Sequence, residues 1–146
     1  MIRKKTKRKS GFKANKVTYD GIDFKSGLEK YMYSALKSAG IKCEYEGKSF
    51  ELLPSFSFNV DSYERQANGK GDMINRGNKK HRGISYTPDF IGDGFIIECK
   101  GRANESFPIR WKLFKNLIKN SSNVVLYKPQ NQKECDLVVN LIKKKL

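Results

Sequence analysis

The apolar and polar positions of this chain follow several different spacings, and each spacing predicts a different structural element. Between residues 28 and 39 the apolar side chains recur at intervals of three and four, which is typical of one face of an amphipathic helix. Ser26 is a suitable N-cap and Gly40 a suitable stop, so a helix is predicted between them. The apolar positions of this helix are Leu28, Tyr31, Met32, Ala35, Leu36 and Ala39.

The spacing then changes to a period of two. Ile41, Cys43 and Tyr45 alternate with polar residues, which predicts a half-buried strand, and apolar residues between 50 and 53 continue the sheet. Residues 57–85 contain glycine-rich turns and six basic side chains. Apart from a short strand near Phe58, this segment is interpreted as a long loop or insertion, which in a compact domain is either functional or disordered.

A denser pattern begins at Tyr86. Residues 86–91 and 94–100 are predicted to form two strands around a turn, and a helix with Trp111 and Phe114 on its apolar face is expected to begin near Pro108. Residues 123–128 predict a buried strand, and a last helix runs from about residue 132 to the end. The order is helix, three strands, helix, strand, helix, which indicates one α/β domain over residues 17–146.

The charge of the chain indicates its partner. Thirty basic and 15 acidic residues give a net charge of +15. Residues 1–16 hold eight of the basic residues and no acid, which predicts a flexible, disordered basic tail. The excess of positive charge favours a polyanion, and nucleic acid is the expected partner. For the tail itself, a merely solvated segment is the alternative.

Composition also excludes several classes of protein. The three cysteines, Cys43, Cys99 and Cys135, have no paired spacing and are interpreted as reduced thiols, which predicts a cytoplasmic location in a bacterial cell or a phage-infected host. No apolar run reaches the length of a membrane span, and the basic N-terminus lacks the apolar segment of a signal peptide. A glycine-rich phosphate loop is absent, so ATP-driven work is not expected.

The candidate chemistry lies in the predicted hairpin. Asp93-Gly94 is a preferred two-residue hairpin turn, because both positions favour positive φ. With these residues as the turn, Asp89 pairs directly with Glu98, and their Cβ atoms are about 5 Å apart on one face of the sheet. Lys100 follows on the same face by the period of two, whereas Cys99 points to the other face.

Two opposed carboxylates need positive charge nearby, and a divalent cation supplies it. Carboxylate oxygens of Asp89 and Glu98, with the backbone carbonyl of Cys99 and water, suit Mg²⁺, and Mn²⁺ is expected to substitute. Such an ion can activate water for attack on a phosphodiester, and Lys100 can orient that water. The alternative is an ordinary salt bridge between Lys100 and one carboxylate. The apolar run before Glu98 favours the cation, because charge in a central strand needs a specific reason.

These residues carry a resemblance to a known family. Pro88-Asp89, followed after an apolar strand by Glu98-x-Lys100, resembles the PD-(D/E)XK nuclease signature. The element order resembles the restriction-endonuclease core, αβββαβ, in which helices flank a mixed central sheet. More narrowly, residues 24–29, 86–90 and 98–101 are similar to the phage endonuclease I family of Holliday-junction resolvases. Similar blocks occur in small phage nucleases and in the transposase subunit type that cuts 5′ ends.

The resemblance implies roles for four residues. Asp89 and Glu98 would ligate the metal, Lys100 would assist the nucleophile, and Glu29 would be a further catalytic acid. Glu29 also has a purely structural interpretation, because Ser26-x-x-Glu29 is a capping box. The two roles are compatible, since a carboxylate in the first turn of a helix can face outward.

The resemblance also implies a homodimer. In that family the connection between the helix that carries the glutamate and the hairpin is exchanged between two subunits. In this chain the connection is longer, because residues 57–85 are inserted, and a longer connection would let Glu29 close onto its own chain. A domain-swapped homodimer is therefore a hypothesis that light scattering can test.

Basic residues around the predicted site are expected to contact phosphates. Lys112 and Lys115 lie on one face of the second helix, for which an ordinary solvated face is an equal alternative. His81, the only histidine, is interpreted as a loop residue near DNA and not as a general base. The expected DNA-binding residues are Arg3, Lys4, Lys5, Lys7, Arg8, Lys9, Lys25, Arg82, Arg102, Lys112 and Lys115.

The sequence thus predicts a Mg²⁺-dependent endonuclease that hydrolyses DNA phosphodiesters, with selectivity for branched DNA or four-way junctions and a role in DNA recombination. One alternative is another phage or mobile-element nuclease that cuts ordinary duplex. The other is a basic DNA-binding protein without catalysis. Asp89, Glu98 and Lys100 are all present, which favours the enzyme.

Overall fold

The computed structural model describes residues 15–102 and 104–146. Within these residues the fold is mixed α/β, with three helices and several small sheets, one of which has four strands. The strands are β1 (Val17–Tyr19), β2 (Ile22–Phe24), β3 (Cys43–Tyr45), β4 (Phe50–Leu53), β5 (Phe56–Phe58), β6 (Tyr63–Glu64), β7 (Ile74–Asn75), β8 (Lys79–His81), β9 (Ile84–Tyr86), β10 (Phe90–Gly92), β11 (Phe95–Ile97) and β12 (Val125–Tyr127). The helices are α1 (Gly27–Ser38), α2 (Phe107–Ile118) and α3 (Gln132–Lys143).

The chain divides into two compact units. The first, called the terminal unit here, comprises the described residues of Met1–Lys42 together with Cys99–Gly101 and Lys128–Leu146. The second, the sheet unit, comprises Cys43–Glu98 and the described residues of Arg102–Tyr127. The predicted basic tail falls almost wholly outside the described residues.

The terminal unit begins with a hairpin that the sequence pattern did not predict. Strands β1 and β2 pair antiparallel, with Tyr19 opposite Ile22 across a two-residue turn. Asp20 and Gly21 both have positive φ, at 55° and 73°, as a type I′ turn requires. The alternation of apolar residues around Asp-Gly was a usable signal, but each strand has only three residues.

Helices α1 and α3 pack together to form the core of the terminal unit. Met32 and Leu36 are completely buried on α1, as the predicted stripe requires. The four residues expected to point inward from the last helix are all buried, which confirms that prediction. They are Cys135, Val138, Val139 and Ile142.

The helices begin and end close to the predicted residues. Ser26 caps α1 as expected, and Gly40 follows the helix with a φ of 69°. At α2 the residue directly before the helix is Ser106, but its side chain makes no capping hydrogen bond. The side chain of Asn104 instead accepts a hydrogen bond from Phe107 N, the first N–H of the helix, at 2.8 Å. In the described part of the chain, no helix has the length and apolar character needed to cross a membrane.

The sheet unit contains a four-stranded mixed sheet in the order β3-β10-β11-β12. Strand β10 pairs antiparallel with both β3 and β11, whereas β12 pairs parallel with β11. Helix α2 makes the crossover between the two parallel strands, which is the usual form of such a connection. The predicted strands around Gly94 and after residue 123 are thereby confirmed, although each is shorter than expected.

One face of this sheet packs against α2. The buried cluster combines Ile96 of β11 with aromatic side chains of β9 and α2. Phe114 is completely buried, and its ring centroid lies 4.8 Å from that of Tyr86 and 5.1 Å from that of Phe50. The cluster holds β4 and β9 beside the helix, so Phe50 packs as predicted but pairs with Tyr86 of β9 and not with the main sheet.

The segment of residues 57–85, predicted as mostly a long loop, is instead a paired β-ribbon. Three successive antiparallel ladders, β4-β9, β5-β8 and β6-β7, join its two sides up to a turn at residues 66–70. Strands β6 to β8 were not predicted, because neither of their faces is buried and their apolar periodicity is weak. We call residues 55–82 the arm.

Candidate active site

The β10–β11 hairpin has the register that the sequence predicted. Phe90 lies opposite Ile97, and Gly92 lies opposite Phe95. The turn differs from the expectation, because only Gly94 has positive φ, at 78°, and Asp93 is not among the residues with positive φ. One positive φ at the second central position is the pattern of a type II turn and not of type I′. The register is nevertheless the predicted one, because both turn types have two central residues.

Extending this register by one position places Asp89 opposite Glu98. The backbone carbonyl of Asp89 accepts a hydrogen bond from Glu46 N at 2.8 Å, and Glu98 N donates to Tyr127 O at 2.9 Å. Both residues thus turn their backbone groups away from each other, towards the outer strands. This makes them a non-hydrogen-bonded pair, for which the Cα atoms are about 4.5 Å apart. The ladder ends there because Pro88 has no N–H to donate to the following pair.

Both carboxylates of this pair are buried. Asp89 is 7% exposed and Glu98 is 6% exposed, whereas acidic side chains are rarely buried without a partner. The hydroxyl of Tyr86 donates a hydrogen bond to Oε2 of Glu98 at 2.5 Å. Two carboxylates at paired positions repel each other when both are ionised, and a cation that binds between them would offset this repulsion.

Tyr86 is the residue that the prediction of site residues missed. Its ring packs against Trp111 and Phe114 in the buried cluster, and its hydroxyl emerges from that cluster at Glu98. A buried tyrosine usually places its hydroxyl on a polar partner, so the apolar packing directs the hydrogen bond. The signal was present in the sequence, since Tyr86 opens the block that contains Asp89. Only the packing shows which acid it contacts.

The donor set of this pair fits a hard divalent cation. Mg²⁺ prefers oxygen ligands, keeps several of its waters and is often bound through only one or two protein carboxylates. Among the described residues, no group of three or more His, Cys, Asp or Glu side chains is arranged to hold a metal. Two carboxylates without histidine or thiolate ligands therefore match Mg²⁺ better than a closed tetrahedral zinc site.

The other predicted site residues belong to the terminal unit. Lys100 is half-buried, and its backbone N–H donates to Pro129 O at 3.0 Å. Cys99 is buried, and a hydrogen bond with Cys99 lowers the pKa of the Cys135 thiol. The structure therefore brings Asp89 and Glu98 together within one unit, and it places Glu29, Cys99 and Lys100 in the other.

Glu29 forms the predicted capping box. Its backbone N–H donates to Ser26 Oγ, and its carboxylate accepts hydrogen bonds from the hydroxyl of Ser26 and from Lys25 N, each at 3.2 Å. The residue is only 6% exposed and lies on the same helix face as Met32 and Leu36. The predicted role of Glu29 as part of a capping box at the start of α1 is therefore confirmed, whereas its catalytic role stays a prediction.

The predicted DNA-binding residues separate into two groups. Lys25, Arg82, Arg102, Lys112 and Lys115 are all exposed, as contact with a phosphate backbone requires. Lys115 also lies over the ring of Trp111, with its Nζ 5.7 Å from the ring centroid. The predictions for Arg3, Lys4, Lys5, Lys7, Arg8 and Lys9 lie outside the described residues.

Comparison with known proteins assigns the chain to a family. The family model described as protein of unknown function (DUF1064) matches residues 9–132, and the chain belongs to that family. No curated protein matches the chain, and no solved structure matches it. The matched region includes both carboxylates, Tyr86 and the whole arm.

Proposed function

We propose that this protein is a metal-dependent DNA endonuclease of the PD-(D/E)XK type, in which Asp89 and Glu98 hold Mg²⁺ or Mn²⁺. The observation that carries this proposal is the pair of buried carboxylates at matched positions of one hairpin. Acidic side chains are rarely buried without a partner, and the partner proposed for these two carboxylates is a divalent cation. Selectivity for branched DNA or four-way junctions, as in the phage resolvases, is part of the proposal.

The order and pairing of elements support this class. Along the chain, α1, β3, β10, β11, α2 and β12 follow the αβββαβ order of the restriction-endonuclease core. Strands β3, β10 and β11 form an antiparallel meander, and β12 adds in parallel after α2. The proposed metal ligands lie at the ends of β10 and β11, next to apolar strand residues.

The chemistry of the site follows from its own side chains. When bound, Mg²⁺ would supply charge for the scissile phosphate and a lowered pKa for water. Glu98 is oriented for this by the hydroxyl of Tyr86, whose ring is fixed among Trp111 and Phe114. A second group that orients a metal ligand commonly contributes 10- to 100-fold to affinity or activity, by rough estimate. Lys100 as the group that assists the nucleophile remains a prediction from the sequence pattern.

Charge and cysteine content support the proposed partner and compartment. A net charge of +15 favours binding to DNA, and the exposed Lys and Arg side chains around α2 can contact phosphates. Cys43, Cys99 and Cys135 form no disulfide bond, which fits a cytoplasmic, reducing compartment. A domain-swapped homodimer remains a prediction of the resemblance, and light scattering at working concentration measures it.

The proposal is tested by incubating the full chain with a four-way junction and with a linear duplex of the same sequence in Mg²⁺. We expect cleavage of the junction to be at least about tenfold faster, a difference of about 1.4 kcal/mol in barrier height. Equal rates on both substrates would contradict the proposed junction selectivity but would support the nuclease activity. DNA binding without cleavage in Mg²⁺ or Mn²⁺ would instead support the non-catalytic binding protein.

Glu29 has two proposed roles, and one substitution separates them. Glu29→Gln retains an oxygen that can accept the hydrogen bonds of the capping box, so we expect the free energy of unfolding to fall by less than about 1 kcal/mol. If Glu29 also acts on the metal or its water, loss of the charge lowers the cleavage rate by about 10- to 100-fold. Denaturant unfolding and junction cleavage measure the two effects.

Helix α3 offers a matched control for this test. Its N-cap is Asn131, and Glu134 occupies the position equivalent to Glu29, with its carboxylate accepting a hydrogen bond from Gln130 N. Glu134→Gln therefore makes the same chemical change in the same helical position. If Glu29→Gln cuts DNA as fast as Glu134→Gln, Glu29 acts only as a cap.

A further inference from the structure

The arm is a two-stranded ribbon that extends directly from the candidate site. Strands β4 and β9 connect the arm to the cluster around Phe114, and Tyr86 at the end of β9 donates to Glu98. From Phe56 to Glu64 one side of the arm has nine residues, which corresponds to about 30 Å of extended chain. A segment of this length, joined to a metal ligand through one tyrosine, can contact a polymer substrate well beyond the cleavage point.

The arm has no hydrophobic core of its own. Almost all its side chains are exposed, including apolar ones such as Tyr63 at 62% and Met73 at 68%. An isolated two-stranded ribbon is only marginally stable in water, so other interactions must order it. Exposed apolar groups on an ordered, unsupported ribbon indicate a surface that is covered by a partner.

Polar hydrogen bonds supply the order. Asp61 Oδ1 accepts from the side-chain amides of Asn75 and Asn78, at 3.0 and 2.6 Å, and Asn75 Oδ1 accepts from the N–H groups of Ser62 and Gly77. At Gly77 even a Cβ atom would lie 1.9 Å from Val60 O, so the two sides of the arm touch through backbone there. The arm therefore keeps a defined shape while its outer side chains stay accessible.

The charge of the arm is positive and is concentrated at the paired strands β5 and β8 with Arg82, which we call the base of the arm. The arm has six basic residues, Arg65, Lys70, Arg76, Lys79, Lys80 and Arg82, against three acids, Asp61, Glu64 and Asp72. Three of the basic residues lie in or beside β8, and the paired strand β5 has the sequence Phe-Ser-Phe without any acid. The acids lie farther out, where Asp61 and Glu64 are engaged in hydrogen bonds within the arm.

The two faces of the arm differ. The pairs Phe56–His81 and Phe58–Lys79 share one face, where the rings of Phe56 and His81 stack with centroids 5.0 Å apart. The intervening pair, Ser57 with Lys80, faces the other way. One face therefore presents aromatic edges, and both faces carry a positive charge.

We propose that the base of the arm lies in a groove of duplex DNA adjoining the cleavage site. Lys79, Lys80 and Arg82 contact phosphates there, and the rings of Phe56 and Phe58 lie against sugars and base edges. The major groove, about 12 Å wide, admits a two-stranded β-ribbon. This inference rests on DNA as the substrate of the proposed nuclease. A second copy of the chain is a poorer occupant, because two chains of +15 repel each other.

The test compares two triple variants of the full chain. Lys79→Ala, Lys80→Ala and Arg82→Ala are combined in the arm variant. The control combines Lys143→Ala, Lys144→Ala and Lys145→Ala, three exposed residues with the same total charge at the end of the chain. Fluorescence anisotropy with a linear duplex in EDTA, at several salt concentrations, measures binding without cleavage.

We expect the arm variant to bind the duplex at least about tenfold more weakly than wild type at 0.1 M salt. The slope of the logarithm of the association constant against the logarithm of the salt concentration should decrease in magnitude by about 2 to 3. The control should change the slope by less than about 1. A second arm variant, Phe56→Ser with Phe58→Ser, should weaken binding with little change in slope, because it removes apolar contact and no charge. Equal binding by the arm variants and the control would overturn the proposal.

Other outcomes separate this inference from the proposed function. If wild type binds DNA through the arm but never cuts it with a divalent cation, the nuclease fails and the arm proposal stands. If wild type cuts DNA and the arm variants bind normally, only the arm proposal fails. If light scattering shows a wild-type dimer that the arm variants dissociate, the arm is an interface between copies, which contradicts a DNA-groove role.

Discussion

Replacing Asp89 with Asn is expected to lower Mg²⁺-dependent cleavage of DNA by about two to three orders of magnitude. The amide keeps the size of the side chain but removes one of the two charges that are proposed to hold the cation. A metal ion at such a site lowers the reaction barrier by about several kcal/mol. Asp89 and Glu98 are both buried at matched positions, so the lost charge cannot be replaced by water. Initial rates of junction cleavage measure the effect.

The same variant has a second expected property that a damaged fold would not have. Because asparagine keeps the size of the side chain, the variant should still unfold in one cooperative thermal transition without metal. Mg²⁺ should raise the melting temperature of wild type but not that of the variant, because ligand binding stabilises only the state that binds. Both melting temperatures are measured with and without Mg²⁺.

Asp93→Asn, in the exposed turn of the same hairpin, is the matched control and should cut at the wild-type rate. Tyr86→Phe provides a graded comparison, since it removes only the hydroxyl that holds Glu98 and should slow cleavage by about 10- to 100-fold. Cleavage by Asp89→Asn at the rate of Asp93→Asn would show that the carboxylate pair is not the active site.

Replacing Phe114 with Ala is expected to have the largest effect on stability. Phe114 is completely buried, and its ring packs against those of Phe50, Tyr86 and Trp111 at centroid distances of 5.1, 4.8 and 5.9 Å. Deleting a buried aromatic ring typically lowers the free energy of unfolding by about 3 to 5 kcal/mol, through lost transfer energy and a residual cavity. Denaturant titration followed by circular dichroism measures it.

Leu117→Ala on the same helix is the control, because Leu117 is 49% exposed and should change the free energy of unfolding by only about 0.5 kcal/mol. Phe114→Ala should also slow cleavage at temperatures where the protein remains folded, since the cavity loosens the ring of Tyr86. A loss of less than about 1 kcal/mol for Phe114→Ala would mean that α2 does not hold β9 as the structure indicates.

Elements with a strong local pattern were predictable from sequence. Helix α1 has a complete apolar stripe between Ser26 and Gly40, and its ends are where those residues indicated. The β10–β11 register was also predictable, because Asp-Gly marks a two-residue turn whichever turn type it adopts. The pairing of Asp89 with Glu98 follows from that register, although the expected turn type was wrong.

Elements that lack a buried side could not be predicted in the same way. The arm is paired along its length, but its side chains are exposed and its order comes from hydrogen bonds among residues such as Asp61, Asn75 and Asn78. Apolar periodicity reports burial, and a ribbon without burial leaves no such pattern. The β1–β2 hairpin was missed although its Asp20-Gly21 turn is the same kind of signal as the Asp93-Gly94 turn of the β10–β11 hairpin.

The sequence by itself determined the helix limits, the hairpin register and the two carboxylates that share a face, because each depends on residues close together along the chain. Only the tertiary structure decided that Tyr86 donates to Glu98 and that residues 55–82 form an arm. The contact of Tyr86 depends on packing between distant segments, because the cluster around Phe114 fixes the position of its ring. The arm depends on hydrogen bonds between its two sides, which leave no apolar pattern in the sequence.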